Sequence, residues 1–553
     1  MSAVRSRRWS WGAVALAAGL VWLVAYPIAL SAVEGVRGPG GWTLEFVRAF
    51  FARPNEWQAL WGSLWISVAT VACSAAIGVP LAFLFARTHF PGRRVLGALV
   101  GLPVALPPLV GVLAFLFLYG ESGFVAHLVK WVTGAREAPW QLQGAGAILL
   151  VHAYSMYVYF YLLVRAALER MDGAALEAAA SLGAGRWRAF TRVTLPMLRP
   201  TLTGAALLTF TTSLASFSAP YIFGGGFRVM TTQVLATRLN GDTRLAAVET
   251  VTLTLIALLA LALLGAERGE VARGGGKGSA PARREVRGAA RALATVGGWG
   301  LAAVLLLPHA TLLLLSFVTP GTWTVQAVPP SYTLANYTGL AGDPERLRPL
   351  VNSLWMASVA TLAALALAVW AGQLVVRRRA RGARLIETLL AAPWAVPGTV
   401  FALALATAFS VHRPWALQVV LVGTLWILPL AYLIRDLPVA SRPILAGFRQ
   451  LDPALEEAAA GLGASRWTVL RRVTLPLLAP ALAAAGALAF VTALGDFVTS
   501  VLLYTYDTRP LSLEILGSLR SGEIGVAAVY GVLLMGASAA VFLLGARAGN
   551  DAR

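Results

Sequence analysis

A single cysteine, Cys73, stands in the 553-residue chain, inside an apolar stretch. That excludes an intrachain disulfide scaffold and any cysteine-built metal cluster. Histidine is nearly as sparse: His89, His127, His152, His309 and His412 are scattered without ligand-like spacing, so no metal centre is expected. Charge is the third shortage. Only 13% of residues are charged and 58% are hydrophobic, with a mean hydropathy of +0.71. A soluble globular chain is about 45–50% apolar and about 25% charged, so these proportions exclude a cytosolic enzyme, a disordered protein and a secreted disulfide-rich domain. What is present instead is a series of apolar stretches long enough to cross a bilayer. The chain reads as a polytopic membrane protein.

Twelve spans are predicted near 11–33, 58–86, 94–119, 143–168, 197–223, 245–266, 292–317, 350–376, 385–410, 414–434, 478–503 and 524–546. The first is kept as a span because no small-residue cleavage site follows its apolar core. Basic residues orient the set. With the N-terminus inside, alternate connections hold 32 of the 45 Lys and Arg residues, and cytoplasmic loops collect these residues. Both termini are therefore expected in the cytoplasm. The net charge of +20 calls for anionic lipid headgroups rather than nucleic acid. The run Arg377, Arg378, Arg379, Arg381 and Arg384 reads as a topology anchor of that kind.

Residues 267–290, rich in Gly, Ala and charge, read as a flexible cytoplasmic linker. They include GGGKGS, but Gly278 follows Lys277 where a phosphate-binding loop needs Ser or Thr, and an ATP site in this chain is rejected. The linker separates a first half, 1–266, from a second half, 291–553, each with six spans. Residues 172–200 and 452–480 agree without gaps at 18 of 29 positions, an offset of 280. Phe210, Thr212, Leu214 and Phe217 match Phe490, Thr492, Leu494 and Phe497 at the same offset. Ser63-Leu64-Trp65 matches Ser353-Leu354-Trp355, and Pro103 and Pro107 match Pro393 and Pro397, at an offset of 290. Six is even, so the halves are parallel repeats about an axis along the membrane normal, with a path or cleft between them.

The greatest similarity falls on a connection between the fourth and fifth spans of each half. Its first portion, 176–182 or 455–462, is Ala-rich and suits a short helix. Gly183 and Gly463 sit where a left-handed helix terminator belongs. An amphipathic stretch follows, Arg186 to Leu195 and Arg466 to Leu475, closed by Pro196 and Pro476. EAAASLGA at 177–184 and EAAAGLGA at 457–464, each followed by Leu-Pro, closely resemble the EAA motif of ABC importer permeases, the binding-protein-dependent inner-membrane components.

That resemblance covers both halves and implies an all-α, type I importer permease fold, about twelve transmembrane helices in two parallel six-helix repeats. It implies that Glu177, Ala178, Gly183, Glu457, Ala458 and Gly463 couple to an ATP-hydrolysing partner. The chain itself would be no enzyme and carry no cofactor, since ATP and magnesium would bind the partner. The expected partners are two copies of an ABC ATPase subunit and an extracytoplasmic solute-binding protein, at a bacterial inner membrane. A fused pair of halves is similar to ferric-iron and thiamine permeases and to relatives assigned to 2-aminoethylphosphonate. FSAPYIFGGGFRVMTTQV at 217–234 and GDFVTSVLLY at 495–504 look like stretches of the iron-type branch. That branch often carries Glu before the second Phe, where this chain has Asp496, and Ser216 in the equivalent first-half place.

Ionisable residues inside spans are functional candidates by default. Ser216, Phe217, Asp496 and Phe497 are the candidates for the translocation path. Asp496 is either there or a helix-end acid bonded to a neighbouring span. Glu249 is either functional or a solvated helix end. His152 and Tyr154, Tyr157, Tyr159 and Tyr161 suit packing and interfacial anchoring, and the matched prolines of the third and ninth spans suit kinks at a gate. The competing class is a secondary transporter driven by an ion gradient, which often shows inverted repeats and buried carboxylates; parallel repeats weigh against it.

Overall fold

The computed structural model describes residues 11–101, 103, 107–265, 284–285, 287–323 and 326–551. The expected linker 267–290 therefore lies outside the described residues, apart from 284–285 and 287–290. The chain is all-α. Among the described residues the strands are two-residue pieces, Arg37–Gly38 with Gly41–Trp42 and Thr88–His89 parallel with Arg284–Glu285. Helices prevail because lipid offers backbone N–H and C=O groups no partner, so each span must satisfy its own.

Among the described residues nine helices are long and apolar enough to cross a membrane, and a bent pair makes ten. They are the expected spans with two exceptions, the fifth and the tenth. The fifth, within Leu195–Leu214, carries Thr201, Thr203, Thr209, Thr211, Thr212 and Ser213; three of these hydroxyls, Thr203, Thr211 and Thr212, fold back on the carbonyl four residues earlier, which limits the cost of carrying them in a membrane helix.

The tenth corrects the expectation. Residues 414–434 do not form one helix: Pro414–Ala416 is a single 3-10 turn, and the helix runs Ile427–Gln450. It keeps Arg435, Asp436, Arg442 and Arg449 within it. The apolar run had drawn the span forward, but the repeat register places Ile427–Gln450 opposite Gly144–Arg170, the fourth span. The first half is ten residues longer between elbow and repeated loop and forms an additional helix, Phe124–Thr133.

The ninth span is broken rather than kinked. Ala383–Ala395 and Gly398–Phe409 meet at 111°. Val396 is extended (φ −104°, ψ 126°) because the ring of Pro397 disfavours the helical conformation in the residue before it. In the first half Arg93–Leu99 and Pro108–Tyr119 flank the stretch with Pro103 and Pro107.

The two halves interlock. The first span, Trp11–Gly35, packs on the second segment of the ninth, and the seventh, Gly288–Leu315, packs on the second segment of the third. The second and fourth spans pair as the eighth and tenth do, with the fifth and eleventh across them. One apolar cluster runs from Leu16 and Leu109 through Phe217 to Phe401 and Phe497, joining both halves. The twofold pattern of the sequence thus becomes a twofold bundle whose axis lies between the fifth and eleventh spans.

Candidate functional site

Each repeated connection folds as a knob. Asp172 caps Gly173–Ser181 by accepting from Ala174 N–H at 2.9 Å, and Asp452 caps Pro453–Gly461 by accepting from Ala454 N–H at 2.9 Å. Gly183 and Gly463 have φ of +74° and +83°. Around them Ala184 N–H reaches Ala179 O and Gly183 N–H reaches Ala180 O, both at 2.9 Å; Ala464 to Ala459 and Gly463 to Ala460 repeat this at 3.1 and 3.0 Å. These are Schellman ends, which close the helix only if the residue after its cap tolerates a left-handed backbone.

The following stretch differs from expectation in one respect. Pro196 and Pro476 do not close it: helix continues from Arg186 and Arg466 into the spans, through π turns at Phe190–Thr194 and Leu470–Thr474. The wide turn accommodates the proline ring and the N–H it lacks.

Glu177, Ala178, Gly183, Glu457, Ala458 and Gly463 are all exposed. Beside them stand large apolar side chains with no cover: Leu182 and Leu462 are 88% and 90% exposed, and Trp187 and Trp467 are exposed too. Six spans separate the knobs, so both emerge on the same side.

A residue that sequence reasoning assigned to the lipid surface braces the second knob. Arg377 Nε lies 2.9 Å from a Glu456 carboxylate oxygen, and Thr474 Oγ1 donates to the other oxygen at 2.7 Å. The remaining arginines of that run are exposed, as an anchor requires. In the first half Leu176 replaces Glu456 and packs against an apolar cluster.

Ser216, Phe217, Asp496 and Phe497 come together where the fifth and eleventh spans end. Phe217 and Phe497 are buried, their rings 5.8 Å apart, with Tyr221 stacked on Phe217 at 5.0 Å and 6.1 Å from Phe497. Ser216 bonds His152 Nε2 at 2.8 Å, while His152 Nδ1 lies 3.2 Å from Thr70 Oγ1 and 3.1 Å from Ser213 Oγ.

Asp496 is the pseudo-symmetric counterpart, and its carboxylate is spent. One oxygen accepts from Thr499 N–H, Thr499 Oγ1 and Ser500 N–H; the other accepts from Arg435 Nη1. It is therefore both a helix-end acid and a neighbour of the aromatic pair. Arg435 and Tyr432, which bonds Ser500 Oγ at 2.7 Å, come from the tenth span.

Asp436, adjacent on that helix, is fully buried, and among the described residues neither of its carboxylate oxygens has a hydrogen-bond partner. Arg435 and Asp436 escaped sequence reasoning because the apolar run ended before them. Glu249 is no solvated helix end: it is buried and accepts from Thr237 Oγ1 at 2.6 Å. Tyr154, Tyr157 and Tyr161 bond the carbonyls of Leu305, Val100 and Gly97, anchoring helices.

A twofold helical bundle with two exposed knobs and an aromatic pair where its halves meet is the architecture of a membrane permease. Residues 78–266 and again 364–549 match the family of binding-protein-dependent transport system inner membrane components, and the chain belongs to it. It is 31% identical over 496 residues to a probable ABC transporter permease protein, y4fN, of Sinorhizobium fredii, covering 88% of this chain and 87% of that one. It is 29% identical over 456 residues to the ferric transport system permease protein FbpB of Actinobacillus pleuropneumoniae, covering 80% of this chain and 64% of FbpB. It is 32% identical over 210 residues to the thiamine transport system permease protein ThiP of Brucella abortus, 38% of each chain.

Proposed function

We propose that the chain is the membrane subunit of an ATP-driven importer, that each knob seats one ATPase subunit, and that the solute is ferric iron. The paired knobs carry the reading. Two Schellman-ended helices, alike at 18 of 29 positions, leave Leu and Trp bare where lipid does not cover them, and a contiguous exposed apolar patch marks a partner surface. Similarity to a ferric permease over 80% of the chain, against 38% for a thiamine permease, favours iron.

The mechanism follows from the bundle. ATP draws the partner subunits together, and the knobs move with them. The fifth and eleventh spans, continuous with the knobs through their π turns, carry that motion to Phe217 and Phe497. The path opens toward the binding protein, then returns after hydrolysis. ATP must favour one conformation over the other, since equal affinity shifts nothing.

The test is reconstitution with an ABC ATPase and the cognate binding protein in proteoliposomes. Radioactive ferric iron should accumulate only with ATP, and labelled thiamine should not. Uptake driven by a proton or sodium gradient without ATP would overturn the reading. In a Cys73→Ser background, a cysteine at 278 should react only from the cytoplasmic side.

A further inference from the structure

The segment after the fifth span, on the face opposite the knobs, is built like its counterpart after the eleventh but differs in charge. Both are pinned alike. Met230 N–H donates to Ser63 Oγ and Leu511 N–H to Ser353 Oγ, each at 2.7 Å. Thr231 Oγ1 donates to the Ser216 carbonyl and Ser512 Oγ to that of Asp496. In this register Arg228 matches Arg509, and Gln233 matches Glu514. Arg509 donates to the Glu514 carboxylate at 2.8 Å, a bond that holds its guanidinium more firmly protonated than usual. Arg228 makes the same reach, at 3.2 Å, to the Gln233 amide oxygen. One half neutralises its arginine and the other does not. The Glu56 carboxylate binds the other end of that amide, accepting from Gln233 Nε2 at 2.9 Å, and among the described residues no carboxylate pairs with Arg228 directly.

Arg228 borders a cavity of about 370 Å³ whose wall includes Tyr221, Thr232 and Gly224–Gly226. Phe227 N–H closes a four-residue turn onto the Gly224 carbonyl at 2.8 Å, and Gly225 stands at its first corner with φ +54°. The N–H groups of Gly225 and Gly226 have no backbone partner among the described residues. Glycine is required here: a Cβ on Gly224 would stand 2.3 Å from the Pro220 carbonyl oxygen, and one on Gly62 2.1 Å from that of Arg228. Tyr221 ties the cavity to the closure. Its hydroxyl accepts from Arg520 Nη2 at 2.6 Å, and its ring lies on Phe217.

We propose that this cavity is an oxyanion cradle at the outer mouth of the path, in which Arg228, the Gly225 and Gly226 amides and the Tyr221 hydroxyl receive a tetrahedral group such as phosphate. The group arrives free or as an outward ligand of a metal complex, so a bare organic cation is disfavoured. The inference rests on the importer reading only for placing the mouth on that face.

The test does not use transport. In full-length Cys73→Ser, Thr232→Cys permease in nanodiscs, the rates of modification by an anionic and a cationic methanethiosulfonate are compared at low salt. The anionic reagent should be favoured, and Arg228→Gln should lower the anion-to-cation ratio about fivefold, the summed effect on the two reagents of one charge about 8 Å away in water. Arg509→Gln, the matched arginine already paired, should leave it unchanged. Millimolar inorganic phosphate should slow the anionic reagent more than chloride of equal ionic strength does. Protection by phosphate alone assigns a free oxyanion; protection that requires added ferric iron assigns a metal-bound one. A ratio unmoved by Arg228→Gln, or protection by neither, overturns the cradle; protection by the binding protein alone makes the cavity a docking contact and also overturns it. Because no uptake is measured, failure of the importer reading would leave this result legible.

Discussion

Phe217 and Phe497 occupy equivalent places in the two repeats, and their rings stand 5.8 Å apart. Residues related by a twofold can touch only beside its axis, so each ring centre lies within half that distance of it. For a solute that passes between the halves along that axis, the two phenylalanines are expected to act as the plug, and the variants below test this. Pro107 of the first elbow closes up to Gly495 from the other half; a Cβ on Gly495 would fall 2.9 Å from its ring. Closure is made by both repeats meeting, and opening requires only that they part.

Replacing both plugs tests this. Phe217→Ala with Phe497→Ala should give ATP-independent leakage of small ions from proteoliposomes, absent in the wild type and smaller in either single variant. Large-to-small changes in a packed core also cost about 3–5 kcal/mol, so Phe→Leu at both positions serves as the control, nearly as stable and still sealed. A tight double-Ala variant would remove the gate assignment.

Asp496 is expected to brace the closure, since both its carboxylate oxygens have partners within the protein. Its side chain is 3% exposed against 29% for Arg435, and both its oxygens are occupied. Asp496→Asn keeps the shape but strands the guanidinium. The expected loss is about 3 kcal/mol, the low end for breaking a buried pair, read as a lower midpoint in detergent thermal unfolding. Adding Arg435→Gln should recover part of that stability. If Asp496 instead bound the solute, Asp496→Asn would raise the solute KM with no change in the midpoint.

Asp436 presents the opposite case, a buried carboxyl without a bond. Such a group costs about 1–3 kcal/mol. The matching first-half residue is Met156, also buried, so the site takes a methionine. Asp436→Met should raise the thermal midpoint, while ATP-driven uptake falls if the carboxyl serves the transport cycle. A lower midpoint would mean that Asp436 has an ordered partner in the membrane.

These two acids also mark how far the sequence was legible. The plug was readable because the repeat register paired Phe217 with Phe497 before any contact was known. The knobs were readable because a helix end that needs positive φ leaves Gly183 and Gly463 as its trace. The tenth span was not. The apolar run 414–434 outweighed the polar helix behind it, since hydropathy counts side chains and does not see that Arg435 is held by Asp496, 61 residues away. Arg377 was hidden for the same reason: five basic residues in a short run look like a lipid anchor, and only folding singles out the one that meets Glu456.

The knobs give the sharpest separation of folding from coupling. No heavy atom lies within 4 Å of a Cβ built on Gly183 or Gly463, so a larger side chain there meets no neighbour. What it meets is its own backbone. At φ of +74° and +83°, a β-branched residue is strained by about 1–3 kcal/mol, and the helix end can relieve this only by abandoning the Schellman bonds and re-aiming Leu182 and Leu462. The twelve spans, which form no part of that turn, should insert as before. Gly183→Val with Gly463→Val is therefore expected to abolish ATP-driven uptake and solute-stimulated hydrolysis in a permease that still reaches the membrane. Glu177→Gln and Glu457→Gln, which remove only exposed charges, should weaken association with the ATPase mildly, since such charges contribute about 0–1 kcal/mol. Gly→Asn at both positions should retain partial activity, because asparagine tolerates the left-handed region better than valine. Purified variants mixed with the ATPase, with binding and hydrolysis measured in parallel, distinguish these outcomes. Wild-type coupling by a correctly inserted double-Val variant would reduce the knobs to connecting loops.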